Sequence, residues 1–309
     1  MTLDKLQSVL TNITNCDAWS IQLLRIRTSK KTGTNYAGTS IKLEPFGKLT
    51  DLVKTISKKC IENLDRETGT YIRLQEYDGT TDANTIYTLD ISNKLISEEY
   101  DAFVEALANP EEEADPLSQT AQAYVILGDY THSGENWNIK LISMQNPITI
   151  LKHKFTMHKG AFKEISDNVL SLRPIIDVII LNDTICFLTM AGEKLFNMER
   201  AYKAICAERV DEIKHSGIVS DEETFQQVAK SGHHPRMFVS FNETRYQTLM
   251  KPKERKQYAK MFGIPLKNDK FDTSQKNTAD KLVRLLCDKG MMDPFQQQPV
   301  EVSGARKWQ

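Results

Sequence analysis

The sequence predicts an α+β protein: a mixed sheet with several hairpins flanked by helices, and a helical, basic C-terminal part. Three observations predict it. Short apolar or alternating runs come in closely spaced pairs, as hairpins require. Amphipathic helical runs fall around those pairs instead of alternating with single strands, which argues against a doubly wound sheet. Lysine and arginine then concentrate in the helix-rich last third.

Taken in order, residues 2–11 read as a short helix, and 18–27 and 39–44 as strands. Over 46–64, Leu49, Leu52, Val53, Ile56, Cys60 and Leu64 recur at helical spacing, with Lys54, Lys58 and Lys59 on the wet side. Runs 70–78 and 84–92 read as strands, with Gly79 between them, so a hairpin-like pairing is expected. Residues 96–108 read as a helix capped by Ser97, with Glu98 and Glu99 in its first turn.

The acidic stretch 109–118, flanked by prolines, marks a break. It divides an N-terminal α+β region, 1–112, from a core, 119–309, that carries a basic segment at 230–290. Strands are expected at 123–130, 136–144 and 152–158, and a helix at 161–172. Runs 175–181 and 184–190 pair around Asn182-Asp183, a connection suited to a type I′ turn. A helix over 193–217 ends at Gly217, and Ser220 with Glu223 forms a capping box for a helix that Gly232 stops. Two more helices are expected, 242–263 with a break near Pro252 and 277–290; the tail reads as an edge strand or a loose end.

The chain has 309 residues, 40% of them apolar, enough to bury a core of about two domains. No stretch is apolar and charge-free over the roughly 18 residues a membrane helix needs. MTLDKLQSVLTNITN lacks the basic, apolar and small-residue zones of a signal peptide, so a soluble cytoplasmic protein is expected. The five cysteines, Cys16, Cys60, Cys186, Cys206 and Cys287, are far apart and form no CxxC pair, which reads as reduced thiols. The net charge of −1 hides an asymmetry: residues 1–150 hold 14 basic and 21 acidic residues, residues 151–309 hold 26 and 20. Residues 230–290 alone hold 14 basic and 6 acidic, a balance that suits a polyanion or an acidic protein surface.

Motifs for chemistry are sparse. GTNYAGTS (33–40) has the glycine spacing of a phosphate loop, but Thr39 stands where the loop needs lysine, so nucleotide hydrolysis there is not expected. His153 and His158 lie on opposite faces of their strand and cannot chelate one metal. His233-His234 reads as part of a solvated basic loop. No HExxH, GxSxG or nucleophilic cysteine signature is present, and no metal or cofactor is expected. A metal-dependent nuclease assembled in space from scattered acids stays open as an alternative.

Asp177 is the sharpest single polar residue. It interrupts Ile175-Ile176-Asp177-Val178-Ile179-Ile180-Leu181, a run apolar on both faces and therefore central. A buried carboxylate without partners is costly, so Asp177 is expected to be paired, for instance with Arg173, or bonded to backbone. That reading is preferred to a catalytic one, and Asp177 is the single weak catalytic candidate.

The strongest functional stretch is KPKERKQYAKMFGIPLKNDK (251–270). Lys251, Lys253, Arg255, Lys256, Lys260, Lys267 and Lys270 interleave with Tyr258 and Phe262; upstream, Arg236 and Arg245 extend the patch. Lys253, Lys256 and Lys260 share one helix face, a pattern suited to phosphate contacts without base readout. Tyr258 and Phe262, four apart, read as the core face of that helix.

RPIIDVIILNDTICFLTMAGEKLFNMERAYKAI (173–205) resembles the signature of the KwaB family of the bacterial Kiwa anti-phage system. The carrying features are the strand with Asp177, the turn Asn182-Asp183, a second strand, and a helix with Phe196 and Glu199 near its start. The resemblance spans roughly residues 120–305 and is tightest over 150–205. It implies a cytosolic defence effector that works with a membrane protein, KwaA, and binds DNA as a homodimer to interfere with phage DNA replication or expression. It transfers no catalytic residue, and the candidate DNA contacts rest on charge pattern. An adaptor whose basic face docks an acidic surface of the membrane partner is the other alternative.

Overall fold

The structure, a computed structural model, describes all residues except 14–15, 17, 30–32, 42–46, 65–72, 112–120, 133, 145–153, 159, 166–171, 294, 296–297 and 303–309. The chain divides into two compact units: Met1–Glu76 with Ala83–Met198, and Tyr77–Asp82 with Glu199–Gln309. Strands from both sides of the 109–118 stretch belong to one sheet, so the division into units falls elsewhere than at that break.

The first unit opens with α1 (Leu3–Asn12), β1 (Ala18–Ser29), β2 (Gly33–Ile41), α2 (Gly47–Leu64), β3 (Arg73–Glu76), β4 (Thr85–Asp90) and α3 (Ser97–Ala108). It continues with β5 (Ala123–His132), β6 (Glu135–Met144), β7 (Lys154–His158), β8 (Ala161–Ile165), β9 (Val178–Leu181), β10 (Thr184–Phe187) and α4 (Ala191–Leu195). Eight strands form one sheet in the order β2-β1-β5-β6-β9-β10-β4-β3, and among the described residues β7 and β8 form a separate two-stranded pair. The mixed sheet with surrounding helices makes the fold α+β, as the hairpin pattern predicts.

Each sheet face is covered. Leu6, Val9 and Leu10 of α1 and Val53, Ile56 and Cys60 of α2 bury against Ile21, Ile126, Ile139, Leu141, Ile179 and Leu181. Tyr36 of β2 and Phe187 of β10 join Phe103 of α3 and Phe196 in an aromatic cluster: Phe103 meets Tyr36 and Phe196 edge-on at 5.9 and 5.8 Å, and Phe196 meets Phe187. A strand buried on both faces reads as a continuous apolar run, which is why Val178–Leu181 lacks alternation. Gly192 is required by this packing: a Cβ there would lie 2.5 Å from Phe187 and from Val178.

Several local expectations are corrected. The strand expected from residue 39 begins already at Gly33 and pairs with β1 from Ser29↔Gly33 to Ile21↔Ile41, so the stretch rejected as a phosphate loop is extended. β3 and β4 pair in parallel rather than as a hairpin, because the intervening Tyr77–Asp82 segment packs into the second unit instead of turning tightly. Ser97 is inside α3 and gives no cap; Asn93 organises the entry, its side chain accepting from the Leu95 N–H. Ala161–Ile165, expected to be helical, is β8, since a five-residue run cannot separate the two periods; 166–171 lie outside the described residues. His153 and the side chain of His158 also lie outside them.

The second unit contains α5 (Met198–His215, from Glu199 on), α6 (Glu222–Ala229), α7 (His234–Met237), a 3₁₀ turn Phe238–Ser240, α8 (Glu243–Leu249) and α9 (Pro252–Phe262). It closes with β11 (Leu266–Lys267), β12 (Lys270–Phe271), α10 (Lys276–Leu286), β13 (Gly290–Met292) and β14 (Pro299–Glu301). Val210, Ile213, Phe225, Phe238, Leu249, Phe271, Leu282 and Leu286 form its core. The helix expected over 193–217 is two: it breaks at Asn197, which takes a left-handed conformation (φ 47°) while neighbouring Phe196 buries. Asp221, not Ser220, caps α6, accepting from the Thr224 N–H at 2.9 Å; Ser220 instead donates to Asp272.

Candidate nucleic-acid interface

The basic segment begins where Pro252 forces a break. Proline at the first position of α9 has no N–H to continue α8, so the chain turns at extended Lys251. A helix end leaves main-chain carbonyls without partners. Arg255 supplies them: its Nε donates to Leu249 O and its Nη2 to Met250 O, each at 2.9 Å. Its Nη1 donates to Asp269 O at 2.7 Å. Arg255 is 7% exposed, and burial lowers its pKa, with the Asp269 charge opposing. Expected among the phosphate contacts, it instead joins α8, α9 and the β11–β12 turn.

The opposite face of α9 is open. Lys253, Lys256 and Lys260 recur at spacings of three and four and are all exposed, as is Lys251. Tyr258 and Phe262 are half-buried against the unit's core and stack on each other at 6.1 Å, so they serve as its inner face. Gly263 ends the helix in a left-handed conformation (φ 61°). In the hairpin that follows, Asn268 and Asp269 both have positive φ (53° and 58°), the signature of a type I′ turn. This turn sets Lys267 opposite Lys270. Lys256 Nζ lies 2.8 Å from Asp269 Oδ1, an exposed pair that holds the Asp269 carboxyl below its ordinary value. The hairpin is anchored beyond Arg255 as well: Thr273 Oγ1 donates to Asp221 O at 2.7 Å and accepts from the Asp221 N–H at 2.9 Å.

Arg236 and Arg245 have other partners. Arg236 Nε donates to Tyr77 Oη at 3.0 Å, its guanidinium 5.7 Å from that ring's centre. Arg245 Nη1 donates to Leu285 O at 2.6 Å and pairs with Asp288 at 2.7 Å. His234 is buried, with Nδ1 on Ser231 O and Nε2 2.6 Å from Asp280 Oδ1, while Asp280 Oδ2 accepts from Arg284 Nε. Among the described residues no group of three or more His, Cys, Asp or Glu is placed to hold a metal ion.

Asp177 lies in the first unit, just before β9. Its carboxylate accepts from Thr189 Oγ1 at 2.5 Å and from the Met144 N–H at 2.7 Å. Its main chain donates to Ile142 O and accepts from the Leu188 and Thr189 N–H groups. Of the two expected partners, the backbone amide is present, and the Thr189 hydroxyl stands in place of a basic side chain. Asp177 clamps the end of β6 to the residues after β10; Arg173 contributes its carbonyl to Tyr124 Oη.

Sequence reasoning missed the internal role of Arg255. The signal was its position three residues after Pro252, where orphan carbonyls of the preceding helix end are within reach. It also left Lys281, Arg284 and Lys289 unremarked, although Asn277, Lys281 and Arg284 recur at helical spacing opposite the apolar face of α10.

Among the described residues no helix is long and apolar enough to cross a membrane. No curated protein and no solved structure matches the chain. Residues 130–292, more than half of the chain, match the family described as Kiwa protein KwaB-like, from the end of β5 to β13. The chain belongs to the KwaB-like family and is thereby a component of the Kiwa anti-phage defence system.

Proposed function

We propose that this Kiwa component binds DNA through the lysine face of α9 and the β11–β12 hairpin and so obstructs phage DNA replication or expression. It works as a cytoplasmic homodimer beside the membrane protein KwaA, through which it is recruited to the inner membrane. One observation carries the DNA reading: Lys253, Lys256 and Lys260 form a single exposed stripe on a helix held in place by buried Arg255, with exposed Lys251 before it and exposed Lys267 and half-buried Lys270 on the following hairpin. A stripe of ammonium groups contacts phosphates, releases their counterions and needs no particular base sequence. Lys256 can exchange its exposed partner Asp269 for a phosphate at little cost, because exposed pairs are weak. Arg236, Arg245 and Arg255, bonded within the unit, hold the scaffold instead of contacting the phosphates.

The test is a fluorescence-anisotropy titration of duplex DNA at several salt concentrations, with Lys253, Lys256 and Lys260 replaced together by Glu. Loss of binding with an unchanged circular-dichroism spectrum supports the reading. Binding unaltered at every salt concentration removes this face as the DNA site. Co-purification with KwaA that is lost in the variant while DNA binding persists assigns the face to the membrane partner.

A further inference from the structure

A cleft of about 320 Å³ opens in the second unit beside α10, the end of α9 and the β13–β14 hairpin. One stripe of α10 lines it: Asn277, Asp280, Lys281, Arg284 and Leu285, at positions i, i+3, i+4, i+7 and i+8. Phe262 closes it from α9, and Lys289, Gly290, Pro299 and Val300 from the hairpin. The charged lining is Lys281, Arg284, Lys289 and Asp280: Asp280 accepts from Arg284 and faces His234, Lys289 is buried with contacts of its own, and Lys281 is exposed. The cleft therefore favours an anion. Its volume exceeds what a bare phosphate needs and lies in the range of small organic ligands. Its apolar wall suits a flat ring, and the Asn277 amide offers both a donor and an acceptor for a base edge.

We propose that this cleft is a subsite for one nucleotide unit, its phosphate held by exposed Lys281 and its base laid along Phe262. Aromatic stacking of an unpaired base is sequence-tolerant, because every base presents a π-face. Phe262 ends the helix that carries the lysine stripe, two residues past Lys260. A strand end reaching the cleft from that stripe rests on the DNA reading above; a free mononucleotide does not.

The full-length protein is titrated calorimetrically with dAMP, deoxyadenosine and inorganic phosphate. The expected result is one dAMP per chain, bound about tenfold or more tighter than either fragment. Lys281 is exposed, so Lys281→Glu leaves the fold intact while lowering dAMP affinity by about tenfold or more. Phe262→Leu keeps the core contact and weakens dAMP more than phosphate. No dAMP binding, dAMP binding no tighter than phosphate, or affinity unmoved by both substitutions overturns the proposal. A duplex with an unpaired overhang, compared with a blunt one, separates the sources. Overhang preference abolished by Lys281→Glu makes the strand end the occupant; equal binding of both duplexes, with dAMP still bound, makes it the free nucleotide. The triple Glu variant of Lys253, Lys256 and Lys260 keeps dAMP binding when blunt-duplex binding is lost. Blunt-duplex binding that survives that variant overturns the lysine-face reading and leaves the cleft standing.

Discussion

Arg255 Nη1 donates to the main-chain carbonyl of Asp269 at 2.7 Å, tying the tip of the β11–β12 turn to the start of α9. The same guanidinium caps the Leu249 and Met250 carbonyls. Arg255 thus builds the surface that presents the exposed lysines of α9. Arg255→Met removes three charge-assisted hydrogen bonds from a buried site and should destabilise the second unit by about 3 kcal/mol. Lys256→Met, which breaks an exposed pair, should cost less than about 0.5 kcal/mol. Urea unfolding midpoints of the two variants check the contrast; similar shifts would contradict the internal role of Arg255.

Salt dependence gives a second prediction. If each stripe lysine neutralises one phosphate, removing one lowers the slope of log affinity against log salt by about 0.9 on duplex DNA. Single Lys253→Ala and Lys260→Ala variants should each show that decrement, uniformly across DNA sequences. A decrement confined to one sequence would point to base readout instead.

Asp177 is the third case. Asp177→Asn places an amide where two donors converge, Thr189 Oγ1 and the Met144 N–H. The mismatch should cost about 2 kcal/mol of first-unit stability. DNA binding, measured below the melting transition, should be unchanged. Metal-dependent plasmid cutting by the wild-type protein that vanishes in Asp177→Asn would reverse this assignment.

Asp280 supplies a pH prediction. Burial raises its carboxyl pKa, but the hydrogen bonds and charges of Arg284 and His234 outweigh burial, and the net value is lowered from 3.8. A lowered folded value means stabilisation present above the unfolded pKa and lost as pH falls through the folded one. Stability of the second unit should therefore drop as pH falls below about 4, and Asp280→Asn should flatten that loss. Thermal melts between about pH 5 and pH 2 read the difference.

The thiols give a fifth. Burial pushes Cys60 and Cys186 up to about 12 and Cys206 up to about 11. At pH near 8 almost no thiolate forms, so iodoacetamide should label these three only in denaturant. Mass spectrometry of the labelled native protein checks this; prompt labelling of Cys186 would contradict its burial.

Local devices were legible where one segment carries the whole signal. The α2 periodicity, the two-residue connection at Asn182-Asp183 and the break at Pro252 need no distant partner to form; the type I′ geometry expected at that connection is not reached, since only Asn182 takes a positive φ (49°). The basic stripe was legible for the same reason, since helical spacing alone puts Lys253, Lys256 and Lys260 on one side. Short runs failed where two periods fit equally, as at Ala161–Ile165. Caps failed where a neighbour competed: Ser220 turned to Asp272 and left Asp221 to cap α6.

By itself the sequence determined the α+β class, the apolar strand that needs partners for its carboxylate, the lysine stripe and the kinship with the KwaB family. Only tertiary structure decided which charges are available. Arg255 and Lys260 share one helix and a similar formal charge, yet one is buried against three carbonyls and the other is exposed. The parallel pairing of β3 with β4 and the lining of the α10 cleft were also decided there. Both arise from contacts between segments distant in sequence, and local propensity carries no information about which of those contacts lowers the free energy of the whole chain.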